Sequence, residues 1–228
     1  MKFKGTIIGE ASGSYASNTF SHNRGGQYIR QRAVPVNPNT AQQQAIRNTL
    51  ALLTSNWSSV LTAAQRAGWD TYATNVPISD TLGEPRNIGG IGQYCRSNVA
   101  RVQVGLARID TAPGVYNLGS FTNPTLGAIS ASADTLQVNF TAADAWAIAV
   151  GGFMGVYTSR PQNPSVNYWK GPYRFAGVIL GAVSPPTSPA SINLAFPVVA
   201  AQRVFVQIRV GQVDGRYSSP FRLDGTSA

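Results

Sequence analysis

Between residues 40 and 110, apolar residues recur at the spacing of helices. The first stripe has spacings of four, three and four, which place its members on one helix face. Its members are Ile46, Leu50, Leu53 and Trp57. Thr40 and Gln43 precede the stripe and form a capping-box pattern. The sequence therefore predicts a helix that begins just after Thr40.

A second capping-box pattern, Thr62 with Gln65, opens another helical segment. This segment continues through Trp69 and Tyr72 and is expected to stop at Pro77, because proline interrupts helical hydrogen bonding. The short connection between the two segments favours an antiparallel helical hairpin.

A third helix is predicted after residue 90, with an apolar side and flanking arginines. The apolar side comprises Ile91, Cys95, Val99, Val102 and Leu106. Arg96, Arg101 and Arg108 flank this side. We expect the apolar side to face a core and the arginines to lie at its margin.

After residue 124 the helical pattern gives way to short strands. Seven are predicted, near residues 126–130, 136–140, 153–159, 173–180, 192–196, 203–210 and 217–223. Asp214 and Gly215 form a hairpin-turn pair before the last of them. The residues expected in the core are Leu136, Val138, Phe140, Val156, Val204, Val206 and Ile208.

Residues 26–36 alternate weakly, which is typical of a strand. In this register Tyr28, Arg30 and Arg32 share a face. Pro35 near the end of the segment favours an edge strand or an extended arm over a central strand. Residues 3–20 are predicted to form two short strands or one hairpin: an apolar run from Phe3, a turn, and a strand from Tyr15 to Phe20.

The predicted fold class is α+β. An N-terminal β-arm is followed by the helical hairpin and third helix, and then by a C-terminal β-sandwich of immunoglobulin-like or fibronectin-III-like type. The expected domains are an arm and three-helix assembly domain (residues 1–112), a linker rich in Pro, Gly and Asn (113–124), and the sandwich (125–228).

Charge is scarce and unevenly distributed. Charged residues make up 12% of the chain, and the net charge is +9. Only Lys2, Lys4 and Lys170 are lysines, and residues 1–69 hold seven basic residues against one acid, Glu10. Because the arginine fork suits carboxylates and phosphates, this half of the chain is expected to meet nucleic acid or an acidic face of another subunit. Solvated charge without a partner is the alternative.

The residues that usually perform catalysis do not form a recognisable pattern. The one histidine, His22, lies in a polar segment, and the one cysteine, Cys95, lies on an apolar stripe. The nine acidic residues are scattered, without metal-ligand spacing. We therefore expect no enzymatic activity, no cofactor and no metal. Neither a signal peptide nor a membrane span is predicted, which indicates synthesis in a cytoplasm.

The pattern SxxRGGQYxRxRxxPxNPxTxxQ, followed by a Trp and by LTxxQRxxWxxYAxxxP, resembles a group of uncharacterised proteins of tailed phages and prophages. The resemblance covers about residues 1–110. The matching residues are Ser21, Arg24 to Arg30, Arg32, Pro35, Asn37 to Thr40, Gln43, Trp57, Leu61, Thr62, Gln65, Arg66, Trp69, Tyr72, Ala73 and Pro77. The resemblance implies a context, the phage particle, but no activity.

In that context we expect a non-enzymatic structural component of a phage virion, a capsid-associated decoration or minor head protein made in the host cytoplasm. Its expected partners are other virion proteins and copies of itself. The candidate interface residues are Arg24, Tyr28, Arg30, Arg32, Trp57 and Trp69. Both tryptophans could instead form the core of the hairpin.

Three other functions remain open. The chain could belong to the neck or tail of the particle rather than to its head. The basic arm could bind nucleic acid through Arg24, Arg30 and Arg32, with Tyr28 stacking on a base. The sandwich could bind carbohydrate through Tyr168, Trp169 and Tyr173.

Overall fold

The computed structural model describes residues 11–23, 26–79, 83–119 and 121–228. The chain forms two compact units, residues 1–44 and residues 45–228. This division differs from the expected one at residues 113–124, because the helices and the seven C-terminal strands belong to the same unit. Backbone carbonyls of the strand region accept hydrogen bonds from Arg96 and Arg101 of the third helix, which joins the two regions.

The first unit contains an antiparallel sheet with the order β1-β2-β3. Its strands are β1 (Gly13–Tyr15), β2 (Asn18–Asn23) and β3 (Gly26–Gln31). The predicted strand from Tyr15 to Phe20 is wrong in one respect: a turn interrupts it at Ala16, which has a φ of 51°. Among the described residues β3 lies at an edge of the sheet, as predicted. The predicted strand that starts at Phe3 lies outside the described residues.

Both capping boxes are confirmed, and each opens a helix. The first helix is α1 (Ala41–Ser59), and the amide of Gln43 donates to Thr40 Oγ1 over 3.3 Å. The second is α2 (Ala63–Asn75), and the amide of Gln65 donates to Thr62 Oγ1 over 3.2 Å. Because these bonds satisfy amides that a helix start leaves unpaired, they fix where each helix begins.

The predicted hairpin of α1 and α2 is not observed. Instead α2 packs along a third helix, α3 (Gly89–Gln103). The two helices approach closely where Gly90 lies against Asp70. The Gly90 amide donates a hydrogen bond to Asp70 Oδ1 over 3.0 Å. Only the C-terminal part of α1 joins their core. That core contains Leu53, Leu61, Trp69, Tyr72 and Tyr94, with Trp57 packed against it.

The predicted orientation of α3 is only partly correct, because Cys95 and Val99 of the expected apolar side do pack against the helical core. Ile91, at the start of the expected apolar face, is 41% exposed, and Cys95 and Val99 are only half-buried. The buried face is mostly polar: Gly90, Gln93, Tyr94, Ser97, Asn98, Ala100 and Arg101. The polar side chains face inward because they bond to backbone groups of the loops and strands packed against the helix. Leu106 lies beyond the end of the helix.

A two-stranded sheet, β4 (Ile78–Ser79) with β5 (Pro85–Arg86), lies between α2 and α3. The remaining strands form two further antiparallel sheets, and a short helix, α4 (Ala145–Ile148), precedes the second of them. One has the order β10-β7-β6: β6 (Thr125–Ser130), β7 (Thr135–Asn139) and β10 (Ala190–Asn193). The other has the order β12-β11-β8-β9: β8 (Phe153–Thr158), β9 (Arg174–Leu180), β11 (Arg203–Gly211) and β12 (Phe221–Thr226).

These two sheets share one apolar core. Leu136 and Val138 of β7 lie in the same cluster as Val156 of β8 and Val206 of β11. All seven core residues predicted from the strand pattern are buried. The described residues thus form an α+β protein with four helices and four antiparallel sheets, an arrangement compatible with a β-sandwich.

Candidate interface and a cationic groove

The predicted arm begins on the edge strand β3. Tyr28 lies opposite Ser21 and Arg30 lies opposite Thr19 in the register with β2. Two residues apart on a strand, Tyr28 and Arg30 project from the same face. Tyr28 is half-buried and Arg30 is exposed. Arg24, the other predicted arginine of this stretch, lies outside the described residues.

Beyond β3 the chain is extended and exposed up to the start of α1. The amide of Arg32 donates to Ser17 O over 2.7 Å, beside the end of the sheet. Val34 and Val36 then stand 75% and 89% exposed. Asn39, with a φ of 47°, turns the chain toward the Thr40 cap. This segment presents apolar side chains and arginines together to the surroundings.

The described part of the first unit contains no carboxylate side chain. Its residues, 11–23 and 26–44, include the cations Arg30 and Arg32 but neither Asp nor Glu. Both arginines are exposed, and no ion pair joins either of them to a described residue of this unit. The described residues of this unit therefore contribute no negative side chain to balance this positive charge.

The two tryptophans of the predicted interface have different environments. Trp69 has no exposed surface, and its indole N–H donates to Asp110 O over 2.9 Å. Its ring packs edge-on against Tyr72 and Tyr94. Trp69 therefore belongs to the core, the alternative considered for it, and it presents nothing to a partner. Trp57 is half-buried, with its ring centroid 5.7 Å from that of Tyr94.

The inward polar face of α3 connects the helices to their surroundings. Arg101 is buried, and its guanidinium donates to Ala107 O over 3.0 Å, to Gly151 O over 3.0 Å and to Gln212 O over 3.2 Å. Asn98 exchanges two hydrogen bonds with the backbone of Ile109, over 2.7 and 3.0 Å. These contacts are structural, because every polar group involved is already occupied by the protein itself.

The outward side of α3 forms one wall of a groove of about 610 Å³. Cys95, Arg96 and Val99 line this wall. The opposite wall is the face of β8 and β11 that points away from the sandwich core, with Tyr157 and Arg209. The loop of residues 170–173 and Leu50 of α1 complete the lining.

Two guanidinium groups converge on one tyrosine in this groove. Arg96 lies 5.5 Å and Arg209 lies 5.6 Å from the centroid of the Tyr217 ring. Burial lowers the pKa of Arg96, and the charge of Arg209 lowers it further. Burial also raises the pKa of the Tyr217 hydroxyl, so the ring stays neutral. Lys170 adds a third cation, and none of the described residues lining the groove is acidic.

The sequence pattern did not identify this groove. Arg96 was expected only at the margin of the third helix, and Arg209 was not among the candidate residues. The one available signal is the alternation of β11, in which Arg209 and Gln207 lie on the side away from the core residues Val206 and Ile208. Their proximity to α3 depends on tertiary packing.

Of the three aromatic residues proposed for carbohydrate binding, Trp169 and Tyr173 pack within their own loop, whereas Tyr168 is 66% exposed. Tyr173 OH donates to Trp169 O over 3.0 Å, and the indole N–H of Trp169 donates to Pro172 O over 3.3 Å. The cavity beside Tyr168 measures about 100 Å³, below the roughly 300 Å³ of typical small-molecule pockets.

Within the described ranges, no three or more His, Cys, Asp or Glu side chains gather in a way that could hold a metal ion. Cys95 is half-buried, and burial raises the pKa of its thiol. A raised pKa disfavours the thiolate, which is the reactive form of cysteine. None of the helices in the described part of the chain has the length and apolar character that crossing a bilayer requires.

Comparison of the chain with protein-family models, with curated proteins and with solved structures finds no match.

Proposed function

We propose that this chain is a non-enzymatic structural component of a phage virion that docks on a neighbouring subunit through its arginine-bearing arm. The arm is β3 together with residues 32–40. In this proposal the two sheets of the second unit form an immunoglobulin-like or fibronectin-III-like sandwich that packs or projects at the particle surface. A capsid-associated position is favoured, and a neck or tail position is the alternative.

The observation that carries the proposal is the exposure of arginines and apolar side chains together on the arm. Arg30 and Arg32 are exposed, and the described part of their unit contains no carboxylate. Val34 and Val36 follow them and are 75% and 89% exposed. Exposed apolar side chains beside arginines fit a protein surface that provides an apolar patch rimmed by acids.

Nucleic-acid binding by the same arm is the second candidate function. Tyr28 and Arg30 share a face of β3, and Arg32 continues the same two-residue spacing. An aromatic ring among arginines can track a phosphate backbone and stack on a base. The half-burial of Tyr28 favours the first candidate, because a stacking ring needs a free face.

The test is incorporation of arm variants into particles of the phage that encodes the chain. Arg30→Gln/Arg32→Gln is expected to lower incorporation about tenfold or more, since charge-assisted hydrogen bonds across an interface are lost. Arg160→Gln/Arg174→Gln is the matched control, because both of these arginines are exposed and belong to the second unit. Equal incorporation of the arm variant and the control would refute docking through the arm.

A salt titration of DNA binding separates the two candidates. A phosphate-binding arm would give an affinity that falls steeply with salt and decreases in Arg30→Gln/Arg32→Gln. The docking proposal predicts no such affinity for the purified protein. DNA binding that depends on these two arginines, together with unaffected incorporation, would replace the first candidate by the second.

A further inference from the structure

We propose that the groove between α3 and the outward face of β8 and β11 binds a small organic anion, a carboxylate or phosphate carried on an apolar or aromatic body. This site is separate from the arm and does not depend on the proposed function.

No described residue that lines the groove supplies an anion for its cations. The Arg209 guanidinium makes a cation–π contact with the ring of Tyr217. It donates no hydrogen bond to a described residue. Lys170 is exposed and unpaired within the described chain. The positive charges of Arg96 and Arg209 repel each other, and this repulsion opposes folding. An anion bound between the two guanidinium groups would reduce the repulsion.

Arg96 is held in place before any ligand arrives. Arg96 donates to Ser218 O over 3.0 Å, and its guanidinium lies against Tyr217. The Tyr217 ring lies near both guanidinium groups and is itself buried. Fixed donors lose less conformational entropy on binding, and the guanidinium fork matches the oxygen pairs of carboxylate and phosphate.

The rest of the lining fits an apolar body. Cys95, Val99 and Pro172 present carbon and sulfur surface beside the cations. Tyr157 OH donates to Gln103 Oε1 over 3.2 Å, which leaves the Gln103 amide nitrogen available as a donor to a ligand. The volume of about 610 Å³ lies within the roughly 300–1,000 Å³ typical of small-molecule sites. A bare inorganic anion would leave most of this space unfilled.

Two fluorescent probes test the requirement for charge. Anilinonaphthalene sulfonate and N-phenylnaphthylamine share the same aromatic body, but only the first carries an anionic group. The full-length protein should bind one equivalent of the sulfonate at least about tenfold more tightly than the neutral probe. Its affinity should fall as salt is added. Equal affinity for the two probes would overturn the proposal.

Variants then locate the site. Arg209→Gln should lower affinity for the sulfonate about tenfold and leave the neutral probe unaffected, since one charge-assisted contact is removed. Lys170→Gln, on an exposed side chain, should give a smaller loss in the same direction without affecting folding. Arg160→Gln, outside the groove, is the matched control. Unchanged sulfonate affinity in both groove variants would refute the assignment.

Competition identifies the chemical class. Benzoate and phenyl phosphate should each displace the sulfonate probe, and inorganic phosphate should do so at least about tenfold less effectively, because it lacks the apolar body. If inorganic phosphate competes as well as phenyl phosphate, the groove binds only a bare anion and the proposed ligand class is wrong.

Discussion

Arg101 connects three parts of the second unit through its side-chain hydrogen bonds. It lies in the last turn of α3, where a positive charge also interacts favourably with the helix dipole. Its guanidinium bonds to three backbone carbonyls from three separate parts of the chain. A buried carbonyl without a partner is costly, so this one side chain satisfies groups that would otherwise destabilise the unit.

We predict that Arg101→Met lowers the free energy of unfolding by about 3 kcal/mol or more, because the buried carbonyl of Gln212 and the partly buried carbonyls of Ala107 and Gly151 lose a charged donor. Urea unfolding measures the change. Arg86→Met, on an exposed arginine of β5, is the matched control and should change stability by less than about 0.5 kcal/mol. A similar small effect for both variants would contradict the assigned role of Arg101.

The raised pKa of Tyr94 predicts how the free energy of unfolding changes at alkaline pH. Burial, together with the nearby charge of Asp110, raises the pKa of Tyr94 from 10.0 to about 12 in the folded protein. The unfolded chain therefore releases this proton first, and stability should fall as pH rises from 10 toward 12 and level off beyond that. Below pH 10 the contribution is constant.

Tyr94→Phe should make this alkaline decrease in stability less steep, as measured by urea unfolding at a series of pH values. Tyr116→Phe, on an exposed tyrosine, is the control and should leave the slope as in the wild type. Identical slopes for wild type and Tyr94→Phe would show that Tyr94 is not responsible. Burial also raises the pKa values of Tyr72, Tyr173, Tyr217 and Cys95, and these groups would contribute to any slope that remains.

At the scale of elements, local signals predicted helix starts and strand faces well. The capping boxes at Thr40 and Thr62 involve residues three apart, so the sequence contains the complete interaction. The alternation of β11 likewise fixed which of its residues face the core. Both signals are local, and both are confirmed.

The orientation of α3 could not be predicted in the same way. Its apolar stripe suggested the buried face, but Gln93, Asn98 and Arg101 are the residues that turn inward. They do so because the neighbouring loops present backbone groups that need partners: Gln93, for example, donates to Val76 O over 2.6 Å. Those partners belong to the tertiary structure, which hydrophobic periodicity does not describe.

The cap of α2 gives a prediction at this scale. Thr62→Ala removes the acceptor for the Gln65 amide and should lower the free energy of unfolding by about 1 kcal/mol. Thr71→Ala, at an exposed position inside the same helix, is the matched control and should be neutral or slightly stabilising, since alanine favours helices. Urea unfolding measures both. A loss no larger for Thr62→Ala than for Thr71→Ala would contradict the capping role.

At the scale of the whole molecule, the division into units and the distribution of charge were only partly predictable. The connector rich in Pro and Gly suggested a boundary at residues 113–124, but long-range contacts of Arg96 and Arg101 place the helices and the strands in one unit. The arm was recognisable because its residues are contiguous. The groove was not, because Arg96 and Arg209 lie on elements far apart in the chain.

The central claim is that the chain is a component of a phage particle, and quantitative mass spectrometry of purified particles tests it most directly. We predict that the protein copurifies with particles in a fixed number of copies, because virion assemblies follow closed symmetry. On the order of hundreds of copies would indicate a capsid or tail-tube lattice, and about a dozen or fewer a neck or baseplate ring. Absence of the protein from purified particles would contradict the account.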